Sequence, residues 1–165
     1  MTYLLTFSGY GTHLHGDARG SWKDGNPHEP HAAYEQAMRD LMPQPPFFLT
    51  AETRPIVLGA LVDLAGHRDW HLMAAHVRVS HVHLVLVSNV PADRALVACK
   101  AAATKALNHA DSDTQRKRWS RGGSTRGLRT PAAVTAAVHY VVDGQGAPMS
   151  VYLARGAVAA YCVRG

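Results

Sequence analysis

Three scarcities narrow this chain before any motif is considered. It has only two cysteines in 165 residues, Cys99 and Cys162, and their spacing is neither that of a zinc site nor of a disulfide framework. That excludes the disulfide-rich secreted scaffolds and fits a reducing cytoplasm. No apolar run reaches the length of a membrane span, and the N-terminus lacks a basic segment followed by an apolar signal core. Acidic residues are also few: 12 Asp and Glu stand against 17 Lys and Arg, a formal charge of +5 before any of the 11 histidines is protonated. A small basic protein favours polyanionic partners, although charge alone is weak evidence for one. Apolar residues make up 47% of the chain, enough for an ordinary folded core.

Histidine and β-branched residues meet in one stretch, His76-Val-Arg-Val-Ser-His81-Val-His83-Leu-Val-Leu-Val. The run from His81 is short, apolar and Val-rich, the pattern of a strand. Alternation then puts His81 and His83 on one face, and Val82, Leu84 and Leu86 on the other. Two imidazoles side by side on a rigid strand are half of a divalent-metal site. Equally, they are two ordinary strand histidines, and the rest of the chain has to decide.

Residues 2–9 read as a first strand. Residues 10–48, rich in Gly, Pro, His and charge, read as a loop-rich insertion with a helical turn near 31–41. A helix is expected over 51–66, with Thr50 and Thr53 as caps, Ile56, Leu58, Leu61, Val62 and Leu64 as its stripe, and Gly66 as its stop. Strands at 70–78 and 81–88 follow across a tight turn. A second helix over 92–109 should bury Leu96, Val97, Ala101 and Leu107. The basic stretch Arg116, Lys117, Arg118, Trp119, Arg121, Arg126 and Arg129 reads as a hairpin or bent strand. Thr130-Pro131 then starts a helix that runs to about Asp143, with Thr as cap and Pro at the first turn. A short strand is expected over Ser150 to Leu153. The order is that of an α+β, ferredoxin-like βαββαβ sheet with an additional C-terminal helix, in one domain spanning 1–165.

That additional helix carries Tyr140, followed by Asp143, Gly144, Gln145 and Gly146. A neutral phenol is a poor nucleophile at neutral pH unless assisted, and a cation held by two histidines would supply the assistance by polarising a phosphate. Here the chain resembles the single-tyrosine HUH transposases. The likeness rests on His81-Val82-His83, on Tyr140 and on Gln145. It extends to the opening Leu5-Thr-Phe-Ser-Gly-Tyr-Gly-Thr-His-Leu-His-Gly-Asp-Ala-Arg-Gly-Ser21, which is similar to a bacterial branch related to the REP-associated tyrosine transposases, and to Trp119-Ser-Arg-Gly-Gly-Ser-Thr-Arg126 and Thr130 to Gly146. The resemblance implies a dimeric nuclease domain of the bacterial cytoplasm and nucleoid. It implies Mg²⁺ or Mn²⁺ on His81, His83 and Gln145. It also implies a Tyr140 that cuts and rejoins single-stranded, hairpin-containing DNA through a 5′-phosphotyrosine link. Gln145 is five residues past Tyr140 rather than one helical turn, so either the chain bends at Gly144 or Asp143 takes the role. The basic stretch would then contact phosphates, with Trp119 stacking on a base and Lys100 and Lys105 extending the surface.

Two other readings stay open. One is a hairpin-binding protein that has kept the fold without the cutting. The other is a small metal hydrolase using His13, His15 and Asp17; 165 residues are too few for the eight-stranded barrel that such an HxH suggests.

Overall fold

The computed structural model describes residues 1–13, 21–23, 26–28 and 31–157. A five-stranded antiparallel sheet forms its middle layer. The strands are β1 (Thr2–Ser8), β4 (His71–Val77), β5 (His81–Val87), β6 (Ser124–Leu128) and β7 (Ser150–Leu153), in the order β6-β1-β5-β4-β7. The first four reproduce the ferredoxin-like arrangement, with β7 added outside β4. Two three-residue strands, β2 (Ser21–Lys23) and β3 (Asn26–His28), pair as a separate ribbon in the region expected to be an insertion, and α1 (Ala32–Asp40) follows them.

The alternation of β1 and β5 sorts the core into two layers. Leu5, Phe7, Val82, Leu84 and Leu86 face α2 (Thr53–His67) and α3 (Ala92–Asp111), where Val57, Leu61, Leu96, Cys99 and Leu107 close the main core. Val85 and Ala74 face the other way, against Ala137, Val138 and Val141 of α4 (Pro131–Val142). Leu84 is wholly buried at the middle of the central strand, so Leu84→Ala would cost about 2–5 kcal/mol. That packing fixes which face of β5 the histidines occupy.

Two local expectations are corrected. Gly66 does not stop α2; the helix runs to His67, and Asp69 takes the left-handed conformation at φ 52° that ends it, with the Trp70 amide bonding Ala65 O at 2.8 Å. Val97 and Ala101 are not on the buried side of α3. Its core row is Ala95, Cys99, Ala103 and Leu107, spaced by four, and Val97 lies half a turn away, 65% exposed. Thr50 and Thr53 do bond each other's amides at the start of α2. Among the described residues, no helix is long and apolar enough to cross a membrane.

Candidate metal and nucleophile site

The site begins with register. His83 pairs with Thr6 of β1 on one side and with His76 of β4 on the other, so the three side chains form one row across the sheet on the α4 face. His81 lies two residues away on the same face, and its ring centroid is 4.7 Å from that of His83. His83 is 6% exposed.

Hydroxyl groups orient both rings. Thr6 Oγ1 lies 2.7 Å from His83 Nδ1, and Ser80 Oγ lies 3.0 Å from His81 Nδ1. A His83 that donates Nδ1–H to Thr6 keeps the Nε2 lone pair for a cation, the usual arrangement behind a metal-binding imidazole. Burial, then the neighbouring His81 and His76, push the His83 pKa down to about 4, against the opposing effect of the Gln145 side chain as an acceptor. The ring is therefore neutral at physiological pH, as a ligand must be.

His76 is different. It is fully buried, and both its nitrogens are used: Nδ1 donates to Val141 O at 3.0 Å, and Nε2 accepts the Met149 amide at 3.1 Å. Burial lowers its pKa and keeps it neutral. No lone pair remains for a metal. His76 instead ties the end of α4 and the segment after it to β4. This role was missed in the sequence, although the hairpin pairing of the two strands places residue 76 opposite 83.

The tyrosine helix forms as its capping signals dictate. Thr130 Oγ1 accepts the Ala133 amide at 3.2 Å, and Pro131 opens the first turn. Its apolar residues bring Tyr140 over the histidine row, with the phenol ring 5.4 Å from that of His83 in edge contact and the side chain 45% exposed. Nucleophile candidate and histidines therefore meet within one chain. Beyond Val142 the chain turns tightly. A Cβ on Gly144 would stand 2.8 Å from Tyr140 O, and Gly146 has φ 76°, so both positions need glycine. The turn returns Gln145 to the site. Its Nε2 donates to Tyr140 O at 3.1 Å, and the side chain reaches near enough to the His83 ring to oppose the lowering of its pKa. Asp143 instead turns its carboxylate to His139, 3.6 Å away.

The donors that converge are two imidazoles and one amide. Among the described residues no group of three or more His, Cys, Asp or Glu is placed to hold a metal ion. A neutral His83 and the adjacent His81, each with its Nδ1 held by a hydroxyl, beside the Gln145 amide, nevertheless suit a divalent cation of the Mn²⁺ type.

The basic stretch divides into two groups. Arg116 donates to Gln44 and to the carbonyls of Pro45 and Pro46. Arg118 is 4% exposed and bonds Asp111 at 2.7 Å, Asn108 and Asp113 O. Trp119 donates to Lys100 O and Thr104, and packs edge-on against Phe7 at 4.8 Å. These three hold the loop to the body. Lys100, too, is engaged, with Nζ on Ser120 O and Gly122 O. Lys117, Arg121, Arg126 and Arg129 are exposed, and so is Lys105. His13 is exposed, while His15 and Asp17 lie outside the described residues.

No protein-family model matches the chain, and neither does any curated protein. Among solved structures it is similar to a REP-associated tyrosine transposase bound to a REP hairpin, at 12% identity and a TM-score of 0.49. The match covers 87% of this chain and 65% of that one, so this chain spans less than two thirds of its neighbour's length.

Proposed function

We propose that this chain is a metal-dependent single-strand DNA nickase and strand transferase of the transposase type, acting on hairpin-containing DNA. The observation that carries the reading is the meeting of Tyr140 with His81, His83 and Gln145 on one face of one sheet. Mg²⁺ or Mn²⁺ held by His81, His83 and Gln145 would polarise the scissile phosphate and neutralise the charge that develops on it.

The chain's own groups do the rest. Tyr140 Oη attacks the phosphorus and loses its proton to the solvent that reaches this exposed side chain. The bond from phosphorus to the 3′-oxygen breaks, and the released 3′-alkoxide takes a proton from water. The 5′-phosphate stays on Tyr140 as a phosphodiester, which conserves the bond energy for rejoining. Thr6 and Ser80 hold the imidazoles in place, and Gly144 lets Gln145 approach. Exposed Arg121, Arg126 and Arg129 supply phosphate contacts, whose counterion release makes binding salt-dependent. The tyrosine acts in cis, because its ring already lies against His83 of the same chain.

The test is incubation with single-stranded hairpin DNA from around the gene, with and without Mn²⁺, read as a covalent protein–DNA adduct on a denaturing gel. A Mn²⁺-dependent adduct in the wild type that is lost in Tyr140→Phe, with hairpin binding kept, is the expected result. Binding without any adduct would leave a hairpin-binding protein that does not cut. An adduct that persists in Tyr140→Phe would exclude this tyrosine.

A further inference from the structure

Beside Tyr140 an open cleft of about 420 Å³ runs between β6 and α4. Its size is that of a small-ligand site, roughly 300–1,000 Å³. Its floor is apolar, made by Leu4 of β1 and Leu128 of β6, and its α4 wall is made by alanines, among them the exposed Ala136. Small side chains on that wall leave open a space that larger residues would fill. The register of β6 against β1 sets Ser124 opposite Thr6 and Arg126 opposite Leu4, so both point to this side of the sheet. The described lining contains one cation, Arg126, and no acid. Arg126 makes no hydrogen bond or ion pair among the described residues, unlike Arg116 and Arg118. Thr6, whose hydroxyl bonds His83, forms one end of the cleft, and Tyr140 lines it as well.

Resting on the function proposed above, we propose that this cleft is a nucleobase pocket: it takes one unpaired base of the single strand next to the phosphate that Tyr140 attacks. The apolar floor and alanine wall receive the faces of the base, whose apolar surface gains by leaving water and which any base can offer. Arg126 meets the phosphate attached to that nucleotide, and the hydroxyl of Ser124 is within the lining to bond the base edge. A base seated there fixes the strand relative to Tyr140. The cleft thus sets where along the strand the cut falls, a task the histidines and the tyrosine cannot perform alone.

The test compares two probes of equal charge by fluorescence anisotropy in EDTA: oligothymidylate of about twelve nucleotides, and an abasic strand of the same length. The wild type should prefer the strand with bases by at least about fivefold, the worth of roughly 40 Å² of apolar surface removed from water. Ala136→Phe fills the cleft from its exposed side and should collapse that preference; Ala136→Leu does the same if circular dichroism shows that Phe disturbs α4. Arg126→Ala should weaken both probes alike and lower the salt slope by about 0.7, one phosphate contact. A preference that survives in the filled variants overturns the pocket and leaves the DNA-binding reading standing. Equal binding of both probes by the wild type also overturns it. Failure of the wild type to bind either strand would also overturn the pocket, and leaves the proposed function to the hairpin adduct assay, which reads it separately.

Discussion

Replacing Thr6 with Val isolates the hydroxyl behind His83. The two side chains have nearly the same shape, so packing on β1 is kept and only the 2.7 Å contact with His83 Nδ1 is lost. His83 is almost fully buried, and water has little room to replace Thr6. An unsatisfied ring nitrogen there costs about 1–3 kcal/mol. For a chain of this size each kcal/mol lowers Tm by about 2–4 °C, so calorimetry should show a loss of about 2–12 °C. The effect on metal binding should be separable. Groups that orient a ligating histidine typically govern about 10- to 100-fold of metal affinity. Titration of the DNA-free protein with Mn²⁺, read as loss of the free-ion paramagnetic resonance signal, should show at least about a tenfold weakening. Thr6→Ser should restore most of it, since the hydroxyl returns. If Thr6→Val binds Mn²⁺ as the wild type does while its Tm falls, the contact is only structural and His83 is not held as a ligand.

Other outcomes follow from the same geometry. Gln145→Ala should weaken Mn²⁺-dependent adduct formation and leave hairpin affinity intact, while Asp143→Asn should be nearly silent; the reverse pattern would move the third ligand to Asp143. Arg118→Ala should cost about 1–3 kcal/mol in urea unfolding without changing the salt dependence of DNA binding, because this arginine is spent on Asp111, Asn108 and Asp113 O; a flattened salt slope would return Arg118 to the DNA surface. In metal-free protein, stability should fall as pH drops from about 6.5 towards 4. His83 is charged in the unfolded chain over that range but resists protonation in the fold, up to a limit of about 3 kcal/mol. His83→Gln should flatten that dependence relative to wild type, and coincident pH–stability curves for the two proteins would show that His83 titrates normally.

Much of this was legible in the sequence, for identifiable reasons. The strand carrying His81 and His83 announced itself as a short, apolar, Val-rich run, and the tyrosine helix by Thr130-Pro131, because both signals are local. The phase of α3 was misread because Val97 is apolar but Cys99 and Ala103 are what the sheet accepts; only the partner surface decides between neighbouring rows. The basic stretch divides into buried and exposed residues for the same reason. A guanidinium looks alike in sequence whether it faces solvent, as at Arg126, or is buried against Phe47 and Asp111, as at Arg118. His76 was invisible because both its partners are backbone groups from segments more than sixty residues away in the chain.

The placing of α4 also bears on how subunits could exchange parts. The helix is entered from β6 and left towards β7, the two opposite edges of the five-stranded sheet, and it touches β4, β5, β6 and β7. Four inter-strand gaps amount to about 19 Å, and twelve helical residues span about 18 Å. The helix is a strap cut to the width of the sheet and fastened at both borders. A strap of that kind is not easily lent: to place Tyr140 over another subunit's histidines, at least one edge strand would have to peel away and His76 release its hold on the far end. On the proposed function, each copy keeps its own tyrosine, and a mixture of one Tyr140→Phe copy with one His83→Gln copy should restore no cleavage.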